Sequence, residues 1–248
     1  MDLIQKIKVA FETHSPEGIE ECLDQGLSPN EIVDGRPLVH ELINMYFRSP
    51  LFKICMQTLV EKGLQFEDTI LLAVLTDDAV SLDQQLSAKP EAIKNKYTFQ
   101  CTFTPLIDAS LLHLCAEYNH TACANILLKN GADVNTQAGL DEHGFGGQSP
   151  IFHTVNQHNN NSKEMLELLL AHGADLSLTV KGLIWGRGYD WETFIPSVNP
   201  ISYAMMGLLP QFQRKEEQIY QVVSQLQKAR YGSEYKPENV PNRYLKNN

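Results

Sequence analysis

The stretch that decides the fold begins with Ser110-Leu-Leu-His-Leu-Cys-Ala116 and ends with Asn130-Gly-Ala-Asp-Val-Asn135. A second copy begins with Ser149-Pro-Ile-Phe-His-Thr-Val155 and ends with His172-Gly-Ala-Asp-Leu176. In both, a hydroxyl residue can cap a helix, apolar residues follow, and a glycine can end the next helix in the left-handed conformation. The repetition predicts helix pairs that bury their apolar faces against one another.

Three weaker copies of the opening phrase extend this pattern along the chain. They are Arg36-Pro-Leu-Val-His-Glu-Leu42, Asp68-Thr-Ile-Leu-Leu-Ala-Val74 and Asn199-Pro-Ile-Ser-Tyr-Ala-Met205. We therefore expect six helix pairs. Their predicted ranges are 3–13 with 16–25, 36–46 with 52–62, 68–76 with 78–87, 107–118 with 121–129, 149–157 with 162–171, and 199–208 with 212–230.

These phrases resemble the ankyrin repeat, whose sequence reads TPLHLAA and then NGADVN. The resemblance implies an all-α fold, an ankyrin-repeat solenoid of about six stacked helix pairs with long finger loops. It covers most of the chain, from about residue 16 to 232, and departs from the pattern at Leu111 and Phe152. The expected organisation is a single domain over 1–232, with an N-terminal cap 1–35, repeats at about 36–67, 68–103, 104–148 and 149–198, a C-terminal cap 199–232, and an irregular tail 233–248.

Composition and charge narrow the classes of partner. The 248 residues carry a net charge of −10 and show no basic stripe of the kind that phosphate backbones require. Residues 1–35 hold eight acidic and two basic side chains, which could face a basic partner or simply be solvated. There is no apolar run of membrane-spanning length and no signal peptide. We expect a cytoplasmic monomer, with delivery into a host cell by another route left open.

The segments that leave the repeat pattern are the candidate binding sites. Loop 136–148 holds four glycines, and loop 181–198 holds both tryptophans of the chain. The run Trp185-Gly-Arg-Gly-Tyr-Asp-Trp-Glu-Thr193 is similar to a loop in a subset of bacterial ankyrin-repeat proteins. Tryptophan, tyrosine and arginine dominate binding hot spots, although the same loop could instead be a lid over the last repeat. The candidate partner-binding residues are Trp185, Arg187, Tyr189, Asp190, Trp191, Glu192, His143 and Phe145.

The motifs of the common enzyme classes are missing from the sequence. It has no H-E-x-x-H, no zinc spacing of cysteine and histidine, no G-x-S-x-G and no phosphate-binding glycine motif. The five cysteines have no C-x-x-C pair and are expected to be reduced core residues. His113 is expected to bond local backbone. We therefore predict no catalytic residue, no metal and no cofactor, while a cysteine–histidine pair brought together by folding stays open.

Three functions remain. The first is a protein-interaction module that binds an unidentified protein or peptide through the concave groove and the finger loops. The second is a small-ligand site under the aromatic loop 181–198. The third is self-assembly. Nucleic acid and membranes are not expected as partners.

Overall fold

The computed structural model describes residues 2–100, 106–206 and 215–233. Short antiparallel strands accompany the helices in this part of the chain. The strands are β1 Ile32–Val33, β2 Arg36–Pro37, β3 Lys96–Phe99, β4 Leu106–Ser110, β5 Val180–Trp185 and β6 Thr193–Val198. The helices are α1 Leu3–Glu12, α2 Pro16–Asp24, α3 Val39–Ile43, α4 Phe52–Glu61, α5 Thr69–Leu75, α6 Ala79–Ala88, α7 Leu111–Tyr118, α8 Thr121–Lys129, α9 Lys163–Ala171, α10 Pro200–Met205 and α11 Glu216–Tyr231.

Local sequence explains where many of the helices begin and end. Side chains cap the starts of six of them by accepting backbone N–H bonds, which satisfies donors that have no partner within the helix. The capping residues are Asp2, Ser15, Asp68, Asp78, Ser110 and Asn199. Glycines at 26, 63, 131, 173 and 232 follow the ends of α2, α4, α8, α9 and α11 with positive φ, as the sequence pattern predicts.

The helix pairs pack in chain order. Contacts join α2 to α4, α5 to α7, α6 to α8 and α8 to α9, and α10 pairs with α11. The buried apolar side chains form one continuous core. Every residue of α7 except Glu117 is buried, so this helix has neighbours on nearly all sides. The arrangement is that of a helical repeat fold.

Polar side chains cross from one helix pair to the next. His113 Nδ1 accepts the Ser110 backbone N–H at 3.2 Å, which places its proton on Nε2, and Nε2 donates to the Gln148 carbonyl at 2.9 Å. Asn30 donates to the Gly63 carbonyl at 3.0 Å and accepts the backbone N–H of residue 65 at 2.7 Å. Asn135 makes the corresponding two bonds, to Gly173 and residue 175. The expectation that His113 bonds local backbone is confirmed.

An ion cluster lies beside α7. Glu117 accepts a bond from Arg48 Nε at 2.8 Å and one from His153 Nδ1 at 2.9 Å. Burial alone would raise the pKa of Glu117, but the Arg48 charge and the His153 hydrogen bond lower it to about 2. The hydroxyl of Tyr118 also donates to the Ile43 carbonyl at 2.7 Å. These contacts connect the end of α3 and the segment after it to α7, past the intervening α5–α6 pair.

The all-α expectation is wrong in one respect, because the described residues include three two-stranded hairpins. The predicted helix 107–118 starts only at Leu111, since Leu106–Ser110 pairs with Lys96–Phe99 as β4. The predicted helix 36–46 is likewise shortened, because Arg36–Pro37 pairs with Ile32–Val33 and leaves α3 only five residues.

The predicted helix 149–157 is replaced by a single 3-10 turn over Pro150–His153. Ser149 does not cap it, and its buried hydroxyl has no hydrogen-bond partner. Asn159 has a positive φ of 53°, which no helix continuing through the Gln157–Asn161 connection could accommodate. This unit therefore contributes one full helix, α9, rather than two.

At the C-terminal end, α10 and α11 replace the predicted helices 199–208 and 212–230, and residues 207–214 lie outside the described part of the chain. Apart from Ser233, so does the predicted tail 233–248. Four cysteines are free and buried, as expected, and Cys101 is also outside the described residues. Over the ranges that are described, no helix has the length and apolar character needed to span a bilayer.

The hydrogen bonds of His113 to Ser110 and Gln148 lead to a prediction about stability. His113→Ala should lower the free energy of unfolding by about 3 kcal/mol, because it leaves a cavity and buried backbone groups without partners. The urea denaturation midpoint measures this loss. The control is His158→Ala, at an exposed histidine, which should change stability by less than about 0.5 kcal/mol. Equal effects of the two substitutions would contradict the role given to His113.

Buried histidines make the fold sensitive to acid. Burial is the main reason that the pKa falls from 6.5 to about 4 in His14, about 3 in His113 and about 4 in His120. Below pH 6.5 these side chains bind protons only in the unfolded state. Each of them therefore lowers the free energy of unfolding by about 1.4 kcal/mol for every pH unit, until the pH reaches its pKa in the folded state.

Urea midpoints should therefore fall steeply from pH 7 to pH 5. His120→Gln, which keeps a donor for the Val74 carbonyl, should show a shallower fall over the same range. The idea fails if the midpoint of the unmodified protein does not change between these two pH values.

Candidate functional site

The segment predicted as loop 181–198 is mostly a β-hairpin, which we call the aromatic hairpin (residues 180–198). Strands β5 and β6 pair in regular register from Val180 opposite Val198 to Trp185 opposite Thr193. Leu183 and Ile195 are buried on its inner face, which anchors the hairpin to the core. The base of this segment therefore packs on the core, whereas Tyr189 and Trp191 at its tip stay exposed.

Three aromatic rings form a cluster at the tip, which we call the aromatic cluster (Trp185, Tyr189 and Trp191). The ring centroids of Trp185 and Trp191 are 5.1 Å apart at 59°, and those of Tyr189 and Trp191 are 4.9 Å apart at 18°. Even so, Tyr189 remains 47% exposed and Trp191 42% exposed. The rings are therefore accessible to solvent while their mutual packing restricts their orientation.

The turn beneath the cluster is held by its own backbone. Tyr189 N–H donates to the Gly186 carbonyl at 3.1 Å, and Glu192 N–H donates to the Tyr189 carbonyl at 2.9 Å. The Glu192 carboxylate accepts the Gly188 N–H at 2.8 Å. Gly186 has a φ of +68°, and the Trp191 ring fills the space that a Cβ at this position would need. Glycine is thus required here for both backbone conformation and ring packing.

A second finger, the central finger (residues 136–148), lies beside the hairpin. Its turn is built by Asp141, whose Oδ1 accepts the backbone N–H groups of His143 and Phe145, each at 2.9 Å. A single β-bridge joins Leu140 to Gly146, so the finger is less regular than a hairpin. Gly139 N–H donates to the Ile107 carbonyl in β4 at 2.7 Å.

The central finger and the aromatic hairpin are fastened to each other. Gly146 N–H donates to the Gly182 carbonyl at 3.0 Å, and Arg187 forms an ion pair with Asp141. Burial raises the pKa of Asp141, but bonds from its own turn and from Arg187 outweigh this and lower it below the usual value. The β3–β4 hairpin, the central finger and the aromatic hairpin thus form one hydrogen-bonded row.

Aromatic packing adds a second connection between the two fingers. The Phe145 and Phe194 rings are 4.9 Å apart, and the Lys181 ammonium lies 5.3 Å from the Phe145 ring centroid. Backbone hydrogen bonds, an ion pair and ring contacts join the two fingers. The position of the tip therefore depends on both fingers and not on a single loop.

The predicted site residues fall into four groups. Trp185, Tyr189 and Trp191 come together at the tip, Arg187 and Phe145 form the junction between the fingers, and Asp190 and Glu192 are exposed beside the cluster. His143 is separate from the cluster and lies 3.6 Å from Glu142, with both side chains exposed. The sequence interpretation missed Asp141, Lys181 and Phe194. The β-branched and aromatic residues Thr193, Phe194 and Ile195 were the available signal for β6 and hence for Phe194.

A crevice between the fingers is too small for a ligand. It is lined by residues that include Asp141, Phe145, Leu183 and Arg187, and its volume of about 20 Å³ holds roughly one water molecule. The expected pocket under the aromatic loop is therefore not found at this position. Among the described residues, no group of three or more histidine, cysteine, aspartate or glutamate side chains could hold a metal ion.

Comparison with known families supports one part of this structure. The ankyrin-repeat family model matches residues 104–138, which include α7, α8 and the first residues of the central finger. The match supports an ankyrin-repeat protein. No curated protein matches the chain. Ankyrin repeats generally mediate protein–protein interaction, and the proteins that carry them are typically binding modules rather than enzymes.

Two glycine substitutions test the packing of the tip. Gly186→Ala and Gly188→Ala should each destabilise the hairpin by about 1 kcal/mol, because both positions have positive φ, 68° and 84°. Only Gly186→Ala should also displace the Trp191 ring and move tryptophan emission to longer wavelength, since a Cβ at Gly188 meets no atom within 4 Å. Identical emission spectra for the two variants would show that Trp191 does not pack on Gly186.

Proposed function

We propose that this chain is a protein-interaction module whose contact surface is the two-finger tip formed by the central finger and the aromatic hairpin. We also propose that residues 1–232 form one ankyrin solenoid that carries these fingers. The predicted site residues are assigned to this surface, with Trp191 and Tyr189 at its centre. The partner is a protein or peptide, in keeping with the general role of ankyrin repeats.

The observation that carries the proposal is the exposure of the aromatic cluster. Tyr189 and Trp191 stay accessible although the rest of the hairpin buries Leu183 and Ile195 in the core. Burying an accessible aromatic face against a partner removes apolar area from water, and a ring already held by its neighbours loses little conformational entropy on binding. These are the properties of binding hot spots.

The alternative functions have less support. A small-ligand site needs a cavity of several hundred Å³, and the crevice between the fingers is far smaller. Self-assembly through the same tip would bury the same aromatic rings, so it is a competing outcome of the experiment below rather than a separate surface.

The test is affinity capture from a lysate of the cell that makes the protein, with bound proteins quantified by mass spectrometry. The double variant Tyr189→Ala/Trp191→Ala should reduce capture of a specific partner by about tenfold or more, because it truncates two hot-spot side chains. Circular dichroism and thermal melting should remain close to those of the unmodified protein, since neither ring belongs to the hydrophobic core.

A matched control is Tyr231→Ala, which removes a 62% exposed tyrosine at the end of α11. Capture should survive this change. If the partner is retained by the double variant, or lost equally with Tyr231→Ala, the two-finger tip is not the binding surface. If the captured protein is the chain itself, sedimentation analysis will show self-assembly instead.

A further inference from the structure

The charges at the tip of the aromatic hairpin are not balanced. Both nearby cations are engaged, because Arg187 pairs with Asp141 and Lys181 lies over the Phe145 ring. The carboxylates of Asp190 and Glu192 are exposed at the tip. Within the described parts of the chain, Asp190 has no hydrogen-bond or ion-pair partner. The charge that the tip offers to a partner is therefore negative.

Acidic and aromatic side chains alternate at this tip. The order is Tyr189-Asp190-Trp191-Glu192, so each exposed ring has a carboxylate one residue away. The Glu192 side chain is held across the turn by the Gly188 N–H at 2.8 Å, which fixes a carboxylate beside the aromatic cluster. A flat ring next to a carboxylate suits a guanidinium group, which stacks on aromatic faces and donates several hydrogen bonds in its plane.

Recognition by addition of a strand is disfavoured at both edges of the hairpin. On the β5 side, the Gly182 carbonyl already accepts the Gly146 N–H. On the β6 side, Pro196 removes a backbone N–H from a strand that, among the strands described, pairs only with β5. A partner must therefore be recognised mainly through side chains, which places the specificity in the rings and carboxylates of the tip.

We propose that this tip binds an arginine-bearing basic segment of a partner protein, with a guanidinium stacked on Trp191 or Tyr189 and paired with Asp190 or Glu192. The inference rests on the proposed function and adds the chemistry of the partner. Charge complementarity agrees with it, since the chain as a whole carries a net charge of −10. Electrostatic attraction of this kind also speeds encounter with a basic partner.

Intrinsic fluorescence gives a direct test, because the only two tryptophans of the chain, Trp185 and Trp191, both lie in the aromatic cluster. The full chain is titrated at low ionic strength with a short peptide of alternating glycine and arginine. The emission should change and saturate, and the apparent affinity should fall as salt is added. A matching glycine–lysine peptide should bind several-fold more weakly, and a glycine–glutamate peptide should give no response.

Charge-removing variants locate the contact. Asp190→Asn/Glu192→Gln should lower the affinity for the arginine peptide by roughly tenfold, since each exposed carboxylate makes a modest contribution to binding. Both side chains keep an acceptor oxygen, so the bond from Gly188 to residue 192 can persist and the fold is not disturbed. The matched control is Glu17→Gln/Glu21→Gln, which removes two exposed charges from α2 and should leave the affinity unchanged.

Three results would overturn the inference: no saturable change with the arginine peptide, equal affinity for the lysine peptide, or equal weakening by the α2 control. These failures are distinguishable from failure of the proposed function. If affinity capture depends on Tyr189 and Trp191 but the peptide leaves the emission unchanged, the proposed interaction surface is supported and the proposal of a basic partner is rejected. If capture is also independent of these two rings, both proposals are rejected.

Discussion

Polar side chains that cross between successive helix pairs hold this structure in register. Apolar packing alone would tolerate small slips between neighbouring helices, because the hydrophobic effect has no direction. A hydrogen bond to a buried carbonyl has one geometry, and losing it leaves an unpaired polar group. His113 makes such a bond to Gln148, the last residue of the central finger, and Asn135 makes an exposed one to Gly173 just before that finger begins. The position of the two-finger tip therefore follows from these bridges.

The strongest parts of the fold could be predicted from the sequence because their signals are local. The helices α8 and α9 and their closing glycines follow directly from apolar spacing and the N-G-A-D or H-G-A-D phrases. The strand β4 could not be predicted in the same way, since Leu106–Ser110 is extended through its pairing with Lys96–Phe99, a separate segment earlier in the chain. Likewise, the Ser149 phrase predicts a full helix, but Ser149 does not cap it and only the 3-10 turn Pro150–His153 forms.

The candidate site shows the same division between local and distant information. Composition identified the aromatic residues of the tip, since tryptophan, tyrosine and arginine are concentrated there. The partner of Arg187 could not be predicted, because Asp141 is 46 residues away and meets it only once the two fingers lie side by side. Phe194 and Lys181 were missed for a related reason: their role depends on β5 and β6 forming a hairpin, which places them against Phe145. What composition leaves open is the orientation of the rings.

The contact between Arg48 and Glu117 has a consequence for how the molecule unfolds. In an ideal linear array of repeats, each unit touches only its neighbours, so a weak unit can open without disturbing distant ones. Here Arg48 and Ile43 lie before the α5–α6 pair while Glu117 and Tyr118 lie after it, and the two sides are bonded directly. Opening the intervening pair would strain or break both bonds and leave buried charges unpaired, at a large energetic cost. We therefore expect the central part of the chain to unfold as one cooperative block.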